Sequence, residues 1–208
     1  MNKPIIIIGN GGHASVLVET LLMLNYEILG FTSPEKQQNV FGLTYLGNDE
    51  AILSFSPSEI ELVLGIGTVN FSKIRQKIYL RFRQQGFKFA DVIHPTAIIA
   101  PSVHLGEGVQ IMAGTVLQTH VHIADNTIVN TGAIIDHNSK IGAHTHIAPG
   151  TKISGGVDIG DLTHIGTGAT IIQSINIGNQ CVVGAGAVVI KNILHAQKVH
   201  GVPAREVK

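Results

Sequence analysis

Aromatic side chains are scarce in this chain and tryptophan is absent: Phe, Tyr and Trp together make up 5% of its 208 residues. A globular core of ordinary composition draws much of its volume from such rings, so that kind of interior is excluded. Charge is scarce too, at 13%, and it is balanced, with 14 Lys and Arg against 14 Asp and Glu. Without a basic surplus to neutralise phosphates, nucleic acid is excluded as the main partner. The single cysteine, Cys181, cannot form an internal disulfide, which suits a reducing cytoplasm. Near the N-terminus the apolar run is only Ile5–Ile8, shorter than the core of a signal peptide. No uninterrupted apolar segment reaches the ~18 residues of a membrane span.

Small and β-branched residues are what the chain does have, with 44% hydrophobic residues and 24 Gly. That composition suits a narrow, regularly stacked interior. From Ile93 to Val189 every sixth residue is aliphatic without exception, as in Ile123, Val129, Ile135, Ile141 and Ile147. Four residues after each stands a small or β-branched one, such as Thr127, Ala133, Ser139, Thr145 and Thr151. A helix repeats every 3.6 residues and a lone strand every two. Period six therefore means a short strand, a bend and another short strand, with Gly, Asn and Asp in the bends. Units of this kind bury their apolar side only by stacking into a solenoid, each strand pairing with the coils above and below.

Residues 1–86 carry a different pattern. Ile5–Ile8 predicts a buried strand, followed by a glycine loop and an apolar helix to about Leu24. Ile28–Phe31 and Leu62–Ile66 predict two more strands. Asn70 is placed to cap a helix ending at Gln85, with Phe71, Ile74, Ile78 and Phe82 on its inner face. Strand–helix–strand order implies a small parallel sheet with helices around it. The reading is thus an α/β Rossmann-like domain over 1–86, a link at Gly86–Val92, an all-β parallel β-helix over 93–190 and a tail over 191–208.

The stretches IIGNGGHA, VIHPTAIIAPS, IVNTGAIIDHNSKIGAHTHIAPG and VHGVPAR together resemble one family over nearly the whole chain. It is the hexapeptide-repeat sugar acyltransferases, specifically the group of bacterial sialic-acid O-acetyltransferases and UDP-4-amino-sugar N-acetyltransferases. The resemblance implies a left-handed β-helix of triangular, 18-residue coils, a homotrimer, and acetyl-CoA as co-substrate. It implies that the amine of a UDP-linked 4-amino-4,6-dideoxy sugar attacks the thioester directly. The N-terminal domain would anchor the sugar nucleotide, and coenzyme A would lie between adjacent helices.

His137 matches the family's catalytic histidine. Its third place in the hexapeptide keeps it out of the buried register, and an imidazole of pKa about 6.5 suits a general base. Relatives often follow this histidine with an acid; here Asn138 follows, and Asp136 is the nearest carboxylate. His146 matches a position that touches acetyl-CoA, while Thr167 and Ala185 match positions that offer backbone groups to the pantetheine arm. No role is assigned to His104, His122 or His164. Cys181 falls in an inward slot, so no covalent intermediate is expected. No two histidines within the repeat are five residues apart, which speaks against the zinc site of β-helical carbonic anhydrases, and no metal is expected.

The loop Gly9–Ala14 fits G-x-G-x-x-A after a strand and before a helix, which lets backbone amides approach a pyrophosphate. A nicotinamide cofactor would call for an acid at the end of the second strand, where Thr32 and Ser33 stand instead. The family uses this loop for the nucleotide sugar, so Gly11, Gly12, His13, Thr32, Ser33 and Gly67 are the expected substrate-binding residues. Two other functions fit the same features: O-acetylation of a sialic-acid-like hydroxyl by the same histidine, and a non-catalytic sugar-nucleotide-binding β-helix.

Overall fold

The structure is a computed structural model that describes residues 3–68 and 73–207. The chain forms two compact units, one from the N-terminus to Gly67 together with Ile74–Val92, the other from Ile93 onward with Thr68. Every Phe and Tyr lies at or before Phe89, so the scarce aromatic residues all precede the six-residue repeat.

That unit holds β1 (Ile5–Ile8), α1 (Gly12–Met23), β2 (Ile28–Thr32), β3 (Tyr45–Gly47), β4 (Glu61–Leu64) and α2 (Ile74–Gln84). Its sheet is parallel throughout, in the order β3-β2-β1-β4. All four isoleucines of β1 are buried because the central strand is covered on both faces. Ala14, Leu17, Val18 and Leu21 recur at helical spacing and bury one side of α1, and Asn25 closes it in the left-handed conformation (φ 58°). β3 is not among the expected strands. At three residues it is too short to show alternation, and it pairs because Gly30 has no side chain: a Cβ there would overlap the Thr44 carbonyl and Leu46.

The inner face of α2 differs from the expected one. Asn70 and Phe71 lie outside the described residues; Ile74 is exposed, and the buried side is Arg75, Tyr79 and Phe82, with Ile78 partly buried beside them. The reason is polar. Arg75 Nη1 donates to the carbonyls of Leu64 and Ile66, each at 2.8 Å, at the last residue of β4 and just beyond it. A buried guanidinium thus turns the helix away from its most apolar side.

In the second unit the expected solenoid is present as two-residue strands in three parallel sheets. One contains His146–Ile147 and His164–Ile165, the second Ile134–Ile135 and Lys152–Ile153, and the third His122–Ile123 and Lys140–Ile141. Partners are 18 residues apart, as His122 with Lys140 or Ile134 with Lys152, so three hexapeptides make one coil. The second residue of each strand points inward, and the aliphatics from Ile111 to Val189 are almost wholly buried. Each contributes about 1.5–3 kcal/mol by leaving water. Beside them runs a hydroxyl ladder. Thr127, Thr145 and Thr163 donate to Gly142, Gly160 and Gly178 carbonyls at 2.9–3.0 Å, and Cys181 ends the column with its thiol on the Leu194 carbonyl. Burial pushes the Cys181 thiol up from its ordinary pKa, which makes it a poor nucleophile.

A second column sets the corners. From Gly108 to Gly186 every sixth residue has positive φ, including His120, Asn126, Asn138, His144, Leu162, Ser174 and Gln180. Gly and Asn enter that conformation readily; Leu162 and Gln180 adopt it at a cost of about 1 kcal/mol, because the coil above and below dictates the bend. Past Val189, Ile193 and Val199 join the same core, Lys198–His200 pairs with Val182–Val183, and Arg205–Glu206 folds back antiparallel. No described helix is long and apolar enough to cross a membrane.

Candidate active site

His137 stands at the corner between the Ile134 sheet and the Lys140 sheet. Its ring rests over Gly155, one coil on, where even a methyl group would overlap the imidazole. Asn138 holds the ring from the side, its Nδ2 donating to Nδ1 at 3.0 Å. The Asp136 carboxylate does not reach the ring; its Oδ1 accepts the backbone N–H of His137 at 2.8 Å. Asn138 also occupies the positive-φ corner position (φ 59°), so its type answers to the bend as well as to the ring. The Gly155 N–H makes no hydrogen bond among the described residues. Gly155 was not singled out from sequence, although its 18-residue offset from His137 was there to read.

His146 lies on a different side of the coil, in the sheet that takes no part in the His137 corner. Its Nδ1 donates to the Thr68 carbonyl at 2.9 Å, which places the ring proton there; Nε2 then accepts from Asn130 at 3.2 Å. His164 stacks edge-on against it, with ring centroids 5.1 Å apart. The His164 Nδ1 is buried without a partner among the described residues, and burial lowers the pKa of the ring. In the unfolded chain the same ring takes a proton at about pH 6.5, so the unfolded state binds protons first and stability falls as pH drops below that value. Melting temperatures measured from pH 7 to 5 should therefore decline less steeply in His164→Asn than in the wild type.

Thr167 and Ala185 sit at the corner between the His146 sheet and the Ile134 sheet. Both are exposed, and neither N–H is bonded among the described residues. The Ile134 sheet is thus flanked by the His137 corner on one edge and the Thr167–Ala185 corner on the other. Its outward residues are apolar near the N-terminal end, with Ile98 66% and Ile134 39% exposed. A surface groove of about 580 Å³ lies elsewhere, on the Lys140 sheet beside His122 and Asp158, and includes none of these residues. Among the described residues no three His, Cys, Asp or Glu side chains converge as a metal site would need.

In the first unit, α1 begins at Gly11 with no side-chain cap and no acid in its first turn. A Cβ at Gly11 or Gly12 would meet nothing within 4 Å, so the helix start is open to an anion. Gly67 comes close to His13, its ideal Cβ position being 3.6 Å from the His13 Cβ. Thr32 and Ser33 are buried and their hydroxyls are engaged, on Asp49 Oδ1 at 2.7 Å and on the Glu35 carbonyl. Asp49 was not foreseen, because its place beside Thr32 depends on the pairing of β3.

A Rossmann-like parallel sheet joined to a β-helix of hexapeptide coils defines the class as a hexapeptide-repeat acyltransferase. Residues 4–82 match the profile of the PglD N-terminal domain, and residues 138–173 match the bacterial transferase hexapeptide (six repeats). Among curated proteins no sequence matches the chain. Among solved structures, the acetyltransferase domain of PglB from Neisseria gonorrhoeae FA1090 is 34% identical with a TM-score of 0.93, covering 99% of this chain and 100% of that one. The same domain has been solved with acetyl coenzyme A. PerB from Caulobacter crescentus, in complex with CoA and GDP-perosamine, is 35% identical with a TM-score of 0.91, covering 99% and 97%. The chain therefore belongs to the hexapeptide-repeat sugar acetyltransferase family of PglB and PerB, and it is an acyltransferase.

Proposed function

We propose that the protein transfers the acetyl group of acetyl-CoA to the amine of a UDP-linked 4-amino-4,6-dideoxy sugar, in the cytoplasm and as a homotrimer. The observation that carries this reading is the seat of His137: an exposed-register histidine, held by Asn138 and backed by a glycine whose N–H has no partner among the described residues. To take the proton of the attacking amine, the ring must carry its own proton on Nδ1 and present Nε2. The Asn138 amide serves that tautomer when it turns its Oδ1 to the ring. It orients the imidazole but, unlike a carboxylate, adds no charge to stabilise imidazolium. The Gly155 N–H is the donor available to the oxyanion that forms on the thioester carbonyl. Direct transfer gains most from holding the amine and thioester in line.

The two corners and the apolar face between them support a trimer. Packing three Ile134 sheets around an axis covers Ile98 and Ile134 and brings the His137 corner of one copy toward the Thr167–Ala185 corner of the next. Coenzyme A would lie along that seam, with His146 on the adjoining sheet near its thiol end. The nucleotide would be held by the glycine loop of the N-terminal unit, through Gly11, Gly12 and His13.

Product analysis tests the reading. Incubation with acetyl-CoA and a panel of UDP- and GDP-linked 4-amino sugars should yield an amide on the UDP-linked series. Acetylation only of a sugar hydroxyl, or no turnover of any amino sugar, would overturn it.

A further inference from the structure

An acid is missing from the end of β2, where sheets of this strand order usually meet the ribose of a bound nucleotide. Thr32 and Ser33 stand there, both buried. The fold brings a carboxylate to the same place from another segment. After β3 the chain enters a 3-10 turn, Asp49–Ser54, capped by the Asn48 side chain, which accepts the Glu50 N–H. The first residue of that turn, Asp49, accepts the Thr32 hydroxyl proton at 2.7 Å. The Thr32 carbonyl in turn accepts the Gly9 N–H at 2.8 Å, so the Asp49 carboxylate stands one strand away from the open start of α1. Asp49 and the start of α1 thus lie at neighbouring strand ends, the edge along which a nucleotide is laid in such sheets.

Three further observations mark Asp49 as a binding group. It borders a cavity of about 340 Å³ together with Pro34, Asn48, Glu50 and Arg81. The cation there is matched already, since Arg81 pairs with Glu50 at 2.6 Å on the exposed side. Asp49 has no partner other than Thr32 among the described residues, and the Thr32 hydroxyl fixes one of its oxygens while the other stays available. A vicinal diol is the ligand such a carboxylate suits, because each carboxylate oxygen accepts two hydrogen bonds and Oδ1 keeps one acceptor site beside its bond from Thr32.

We propose that Asp49 accepts the 2′- and 3′-hydroxyls of the substrate's ribose while the pyrophosphate lies against Gly11 and Gly12. This deepens the nucleotide-sugar reading above and rests on it. The cost of leaving a charged acceptor without its donors predicts a preference for the diol of about 10-fold or more.

Calorimetric titration of the full-length protein with UDP, 2′-deoxy-UDP, 2′,3′-dideoxy-UDP and GDP tests it. The wild type should bind UDP about 10-fold or more tighter than the dideoxy compound. Asp49→Asn keeps an oxygen for Thr32 and so should keep its melting temperature, while the preference for the diol falls to about 2-fold or less. A wild type indifferent to the hydroxyls, or an Asp49→Asn protein that keeps the full preference, overturns the assignment. So does a variant whose choice between UDP and GDP changes while its diol preference stays intact, since Asp49 would then read the base. Failure of every diphosphate to bind the wild type would overturn the nucleotide-sugar reading as well, whereas tight binding without regard to the diol would overturn only the role of Asp49.

Discussion

Replacing His137 by Ala should lower kcat for acetyl transfer by about 10²–10⁴-fold, the range that a positioned general base supplies. The KM for acetyl-CoA should change little, because the ring meets the proton of the attacking amine rather than the body of the coenzyme. Steady-state kinetics checks both, and an unchanged kcat would remove His137 from the chemistry. The substitution should not perturb the fold, since the side chain belongs to no buried register and its bonds are the one to Asn138 and backbone pairings. It also provides a test of the shared seam. Ala185→Trp should block the facing corner and be inactive by itself. If the two corners come from different copies, trimers reassembled from a mixture of His137→Ala and Ala185→Trp chains contain some sites with both corners intact. Activity should reappear on mixing, and continued silence would show that each site is built within one chain.

Gly155→Ala should be nearly as damaging, although it removes no functional group. A Cβ at that position overlaps the His137 imidazole, so the ring must leave its seat. Gly155 itself has no positive φ, unlike its neighbour Gly156, so alanine meets no backbone strain and the coil should remain intact. A displacement of about 1 Å at a reacting group costs on the order of 10²-fold. We expect a fall in kcat of that size with an unaltered melting temperature. The decisive control is the double variant. Added to His137→Ala, Gly155→Ala should cost little more in kcat, because the two act through one ring and such effects do not add. A full additional loss would give Gly155 a separate role through its N–H.

The solenoid was legible because its cause is local and repeated: an aliphatic at every sixth position from Ile93 to Val189 leaves few other ways to be buried. The corner column was less legible: Gly, Asn and Gly at 108, 126 and 132 suit a positive φ, but Leu162 and Gln180 occupy the same position without announcing it. Other features depend on contacts between distant residues. The strand Tyr45–Gly47 exists because Gly30 lets it approach, and only then does Asp49 arrive at Thr32. On α2, Ile78 and Phe82 face inward as expected but Ile74 does not, because hydrophobic spacing carries no sign that Arg75 will be drawn in to bond the carbonyls of Leu64 and Ile66. At the candidate site, sequence singled out His137 with its neighbour Asn138, and His146, but not the distant groups each ring rests against. Those partners, Gly155 at one and Thr68 at the other, are brought in by the fold.

Because strand partners within the coils up to Val189 are 18 residues apart, length in this part of the protein comes in whole turns of a screw. Removing 18 residues from the stack would shorten it by one thread and return each later side chain to its own wall. Removing six would also preserve the buried aliphatic at every position, yet it would rotate all that follows by a third of a turn. A chain altered in that way would pass any test of hydrophobic pattern while presenting its downstream corners to the wrong neighbours. The period that makes the fold tolerant therefore leaves function sensitive to a phase that burial alone does not police.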